Sequence, residues 1–250
     1  MVRVLTGLSL LVSMVAMADS MPFAPGEQSS YEVKFLGVPA GLAQVTVGLR
    51  TQQQGKAVLP LVCVGQTTSV ANVFQINDRF ISYFDPQTKA PVGFDYYVDE
   101  NRKRRRERFR VDAEQSRIFA TKKKEGEGPY DVTYDVPANT MDLASAAFWL
   151  RSREIVVGAV HELPIFTGAR WYLMKATVEG QETISTKLGT LPVYRVSITT
   201  EFQGDAKTKG NVVVYYTADE RHLVVRATAE FVIGSVTADI VQYLPGSSAL

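Results

Sequence analysis

From Asp19 onward, apolar and polar residues alternate with a period of two, the pattern of strands that bury one face. Tyr31, Val33 and Phe35 alternate with Glu32 and Lys34, and Ala43, Val45, Val47 and Leu49 alternate with Gln44, Thr46 and Arg50. Between them, Gly37-Val38-Pro39-Ala40-Gly41 carries the punctuation of a hairpin. Further strands are predicted at 56–66, 79–84, 92–98, 102–111, 117–123 and 130–136. In the second half, Tyr172, Met174, Ala176 and Val178 share one face, and Tyr194, Val196, Ile198 and Phe202 another. Val212, Val214 and Tyr216 form a third stripe, and Leu223, Val225, Ala227, Ala229, Phe231 and Ile233 a fourth, before a mixed strand at 235–243. Turn signals stand at Gly180-Gln181, Gly189, Gly204-Asp205, Ala218-Asp219-Glu220 and Gly234-Ser235. Short strands at this spacing predict an antiparallel meander.

The period changes clearly once. Leu143, Ala146, Ala147 and Leu150 recur at helical spacing, which predicts a helix over Met141–Arg151. Thr140 is placed to cap it, Asp142 suits its positive end, and Arg151 and Arg153 suit its negative end. A shorter turn is predicted at Ser69–Phe74. The result is a mainly β fold: a large curved antiparallel sheet or half-barrel with one helix packed in its concave face. No linker, low-complexity tract or repeat interrupts it, so residues 19–250 read as a single domain.

The first eighteen residues read differently. Arg3 precedes the apolar stretch Val4–Val15, too short to span a bilayer, and Ala16-Met17-Ala18 has the small residues of a cleavage site. This predicts a secretory signal peptide over 1–18, with no later run suited to a membrane helix. Cys63 is the sole cysteine and lies in the apolar run Leu59-Pro60-Leu61-Val62-Cys63-Val64, so it reads as a buried, inert thiol.

Over its 250 residues the chain is 46% hydrophobic and 21% charged, which excludes disorder and fibrous classes. Its 27 basic residues nearly balance 26 acidic ones, so bulk charge does not point to nucleic acid. No metal-ligand spacing, nucleophile elbow, zinc-protease motif, P-loop or dinucleotide fingerprint is present. His161 and His222 read as solvated loop residues. No cofactor, metal or catalytic residue is therefore expected, and the chain reads as a binding protein rather than an enzyme.

Two features could serve binding. In Arg102-Lys103-Arg104-Arg105-Arg106-Glu107-Arg108-Phe109-Arg110, a strand puts Arg102, Arg104, Arg106, Arg108 and Arg110 on one face. Guanidiniums so arranged must meet water or anions. They either pair with Asp95, Asp99 or Glu100 of the preceding strand, or bind phosphate or carboxylate groups of a lipid or glycan. The aromatics Phe148 and Trp149 on the helix, with Trp171 and Tyr172 at a strand start, either fill the core or line an apolar pocket.

Several segments, in order, resemble an exported bacterial family, domain of unknown function 3108: Leu36-Gly37-Val38-Pro39-Ala40-Gly41, Phe74-Gln75-Ile76-Asn77-Asp78-Arg79-Phe80, the stretch Met141–Arg151, Tyr215–Arg221 and Gly234-Ser235-Val236-Thr237-Ala238. The resemblance implies a periplasmic protein of the Gram-negative envelope without an established activity. It also implies a curved sheet embracing a helix, similar to lipoprotein carriers, and so an amphipathic ligand such as a lipid or lipoprotein. Three functions follow. The first is a soluble, non-enzymatic carrier-like protein whose groove takes acyl chains while the arginines meet headgroups. The second is an interaction module of envelope assembly that contacts an acidic protein or an anionic glycan. The third is an envelope hydrolase, since paired carboxylates carry no local motif.

Overall fold

The computed structural model describes residues 21–68, 75–101, 103–201, 212–231 and 234–247. The predicted signal peptide, the turn at 69–74, Arg102, Phe202, the turn at Gly204-Asp205 and Ile233 lie outside the described residues. The elements run β1 (Gln28–Phe35), β2 (Val38–Val47), β3 (Thr51–Gln53), β4 (Lys56–Thr67), β5 (Asn77–Asp85), β6 (Ala90–Glu100), β7 (Lys103–Asp112), β8 (Arg117–Lys124) and β9 (Tyr130–Asp135). Then come α1 (Leu143–Arg151), β10 (Val160–Phe166), β11 (Trp171–Thr186), β12 (Gly189–Glu201), β13 (Val212–Thr217), β14 (Val224–Phe231) and β15 (Gly234–Leu244).

The strands form one antiparallel sheet in the order β10-β11-β12-β13-β14-β15-β1-β2-β4-β5-β6-β7-β8-β9, with β3 pairing β4 off this path. The first and last strands thus meet in the middle, where β1 lies between β15 and β2. The edges, β9 and β10, are consecutive in the chain, and the segment joining them carries α1 across the concave face.

Both ends of the helix are tied down. Asp142, rather than Thr140, is the N-cap: its carboxylate accepts from the Ser145 amide at 2.9 Å, and the Ser145 hydroxyl accepts from the Asp142 amide at 3.1 Å. Thr140 instead donates its hydroxyl to the Pro137 carbonyl at 2.7 Å. Ser82 of β5 donates to the other oxygen of Asp142 at 2.6 Å, fastening the cap to the sheet. At the far end, buried Arg151 forks onto buried Glu27 at 2.7 and 3.2 Å.

Between these anchors the helix touches both halves of the sheet. Ala144 and Phe148 pack with Phe23, Val47, Leu59, Leu61 and Phe84. Ala146 and Leu150 pack with Leu163, Ile165, Met174, Val196, Val214 and Tyr216. Cys63 turns inward against the first group, where burial pushes its thiol up to about 12.

The sheet does not close into a barrel. No ladder joins β9 to β10 among the described residues; a single parallel bridge between Met141 and Ile165 intervenes. Side chains fill the seam. Phe166 of β10 is fully buried, with its ring 4.9 Å from Tyr134 of β9 and 5.7 Å from Phe109 of β7. Lys122 of β8 donates to the Gly168 carbonyl at 2.6 Å.

Two local readings need correction. The turn expected at Gly180-Gln181 is a bulge, because β12 continues alongside and β11 steps register between Val178 and Gly180. His161 lies in strand β10 beside the Trp149 ring rather than in a loop, and burial, with help from Arg153, lowers its pKa.

Candidate anion-binding face

Strand β7 sorts its side chains by the period of two. Phe109 is buried inside, stacked on Phe94 with centroids 4.5 Å apart. Glu107, also inward, takes Lys122 at 3.7 Å and Arg105 at 3.8 Å. Arg104, Arg106, Arg108 and Arg110 therefore lie on the outer face, and all four are exposed. Arg102 is outside the described residues.

Register supplies their neighbours. Asp99, Tyr97, Asp95 and Gly93 of β6 stand opposite Arg104, Arg106, Arg108 and Arg110. On the other side, Lys123, Thr121 and Phe119 of β8 stand opposite Arg106, Arg108 and Arg110. Arg79 of β5 pairs with Tyr97, and Asp131 of β9 with Thr121. The face thus carries Arg79, Arg104, Arg106, Arg108, Arg110 and Lys123 against Asp95, Asp99 and Asp131. Beyond Arg110 the row ends in neutralised charge, with Asp112 3.7 Å from Arg110 and Arg117 bound to Asp135 at 2.9 Å.

The arginines are not equally engaged. Arg104 donates to Asp99 at 3.0 Å, and this hydrogen bond raises its pKa. Arg110 covers the Phe119 ring at 4.3 Å. Arg79 and Arg106 both lie 4.9 Å from the centroid of Tyr97, so this one ring gathers two guanidiniums. Asp95 stands opposite Arg108, but its carboxylate accepts from the Tyr83 and Tyr97 hydroxyls at 3.2 and 3.4 Å. Arg106 and Arg108 form no ion pair with the described residues. The Tyr83 hydroxyl is pushed up to about 12 by burial, then by the adjacent Asp95.

Two open grooves mark this face. One of about 680 Å³ runs past Tyr83, Asp95, Arg108, Arg110, Phe119 and Thr121; a second of about 440 Å³ lies among Tyr97, Arg104, Arg106 and Lys123. The β3–β4 hairpin walls the first groove, since Gln54 donates to the Val92 carbonyl at 2.6 Å. Gly93 permits the close approach of β7 instead: a Cβ there would stand 2.6 Å from the Phe109 carbonyl oxygen.

The four predicted aromatics do not share one pocket. Phe148 packs edge-on to Phe23 at 4.7 Å. Trp149 and Tyr172 flank the Leu150–Met174 cluster, with Arg153 4.4 Å over the Trp149 ring. Trp171 belongs to a third cluster around Phe94 and Phe166. All four lie with the concave core, on the opposite side of the sheet from the arginine row. Sequence reasoning missed Arg79, Tyr97, Lys123 and Gly93 as members of the outer face. The signal for them was cross-strand register, fixed once the β6–β7 turn is placed at Asn101.

No helix among the described residues is long and apolar enough to cross a membrane. A β-barrel-like protein of the domain of unknown function DUF1849 from Brucella abortus has a similar fold, with a TM-score of 0.57, 11% identity, and 88% of this chain and 98% of that chain covered. A Bacteroides fragilis protein with a YmcC-like fold matches with a TM-score of 0.38 and 7% identity over 90% of this chain and 98% of its own. No curated relative matches the chain. The model of the protein family of unknown function DUF3108 matches residues 30–241, so the chain belongs to that family.

Proposed function

We propose that this protein is a non-enzymatic binding protein of the bacterial cell envelope that takes an extended anionic glycan on the outer face of β5–β9. The observation that carries this reading is the outward row Arg104, Arg106, Arg108 and Arg110, in which Arg106 and Arg108 form no ion pair with the described residues. Alternate residues on a strand lie about 7 Å apart, so the row offers repeated cation sites to a polymer bearing carboxylates or phosphates. The grooves are open and edged by arginines, which suits a chain lying across the surface better than an enclosed small molecule. The carrier reading needs room for acyl chains in the concave face, and there α1 and inward side chains occupy the space.

Calorimetric titration with polygalacturonate, against uncharged dextran as control, tests the proposal. The protein binds the acidic glycan, and binding weakens as salt rises. Arg106→Glu/Arg108→Glu weakens it by about tenfold or more, the equivalent of losing one good charge-assisted contact. Equal binding of dextran, or unchanged affinity in the double variant, overturns the assignment.

A further inference from the structure

The larger groove on the outer face mixes charges in a way that the arginine row alone does not explain. Across the strands, one row of that face runs Asp95 on β6, Arg108 on β7, Thr121 on β8 and Asp131 on β9. All four line the groove of about 680 Å³. A guanidinium thus stands between two carboxylates, and it forms an ion pair with neither. The carboxylates take hydroxyls instead. Asp95, only 9% exposed, accepts from the Tyr83 and Tyr97 hydroxyls at 3.2 and 3.4 Å, both on Oδ2. Asp131, which is exposed, accepts from the Thr121 hydroxyl at 2.7 Å. Gln53 of β3 adds a half-buried side-chain amide from the hairpin wall, and Thr133 of β9 adds a hydroxyl.

These groups ask for different partners. An arginine without an ion pair fits an acid group. A carboxylate in the same groove repels that acid group and is satisfied only by a donor such as a hydroxyl. A polymer of bare anions supplies a charge for Arg108, but it sets further negative charge against Asp95 and Asp131 and brings them no donor. A polymer whose units carry free hydroxyls beside each acid group satisfies both. Neighbouring strands lie about 5 Å apart, so one sugar ring reaches from a carboxylate on one strand to the guanidinium on the next. Tyr97 ties the two kinds of site together, with its hydroxyl on Asp95 and its ring 4.9 Å from both Arg79 and Arg106.

We infer that Asp95 and Asp131 are the specificity-determining residues of this face: they accept the hydroxyls of an acidic sugar polymer while Arg108 takes its acid group, so that polymers of bare anions are rejected. The inference rests on the glycan reading above, and one set of calorimetric titrations separates the two. Polygalacturonate and phosphomannan carry hydroxyls with carboxylates and with phosphates; polyacrylate and polyphosphate carry the same acid groups without hydroxyls. At equal total charge and equal salt, the protein binds each hydroxylated polymer at least tenfold more tightly than its bare counterpart, although the bare chains are more densely charged. The tighter of the two hydroxylated polymers identifies the acid group. Asp131→Ala, at an exposed position, weakens the hydroxylated polymers about tenfold, the loss of one hydrogen bond to a charged group. The same variant strengthens binding of polyacrylate and polyphosphate, because it also removes a negative charge. Asp95→Asn acts in the same two directions. A folding defect would lower every affinity, so the opposite signs mark a role in selection. Bare polymers bound as tightly as hydroxylated ones overturn the inference and leave charge-driven binding of the glycan standing. So does an Asp131→Ala variant that moves both kinds of polymer in one direction, or neither. Failure of the unaltered protein to bind any of the four polymers overturns the glycan reading as well.

Discussion

Glu27 and Arg151 form the most demanding contact in the molecule. Both are buried, and the guanidinium also donates to the Arg221 carbonyl at 3.2 and 3.3 Å and lies over the rings of Phe148 and Phe23. Two charges withdrawn from water are tolerable only while each keeps its partners. Glu27→Gln leaves the cation uncompensated and costs about 3 kcal/mol, read as a lower urea midpoint. Replacing both, as Glu27→Leu/Arg151→Met, recovers much of that loss, because the apolar pair leaves no buried charge. A double variant as unstable as the single one would place the loss in packing instead. The sequence marks neither residue: they lie 124 positions apart, and Arg151 reads simply as a cation at a helix end.

Single elements show why alternation was informative and where it failed. β7 alternates so strictly that its outward row follows from residue order alone, and the pairing of Arg104 with Asp99 was among its expected outcomes. β3 and β10 escaped notice for physical reasons. β3 has three polar residues and no apolar stripe, while β10 is a short run at the edge of the sheet, interrupted by Pro164. The helix was legible but its cap was not, since Thr140 and Asp142 are both good capping residues; the reciprocal bonds with Ser145 decide for Asp142, and the contact with Ser82 holds that cap to the sheet. That contact makes a pH prediction. Burial raises the Asp142 pKa, with the hydrogen bonds from Ser82 and Ser145 opposing it. Between the ordinary carboxyl value and the raised one, the folded state holds a proton that the unfolded state has lost. The contribution of this group to stability therefore falls as pH rises through that window and levels off above it. Urea titrations at a series of pH values should show the stability of the protein relative to Asp142→Asn declining over that range. A difference that stays flat, or rises, would mean that the hydrogen bonds outweigh the burial.

At the scale of the whole molecule, the alternating pattern implied one curved sheet but not its closure. No local signal brings β1 against β15, or sends the chain from one edge to the other through α1. The gap between β9 and β10 is a consequence of that path, because the helix-bearing segment occupies the place where a ladder would have joined them. Closure then rests on side chains, with Phe166 at the centre against Phe94, Phe109 and Tyr134. Phe166→Ala removes this contact and costs about 3–5 kcal/mol. The location of the damage is more telling than its size. If the seam is an independent closure, hydrogen exchange in the variant accelerates first in β9 and β10, while the central β15-β1-β2 ladders stay protected. Uniform acceleration across the sheet would mean instead that the two halves and the helix open as one cooperative unit, with the seam a part of the common core.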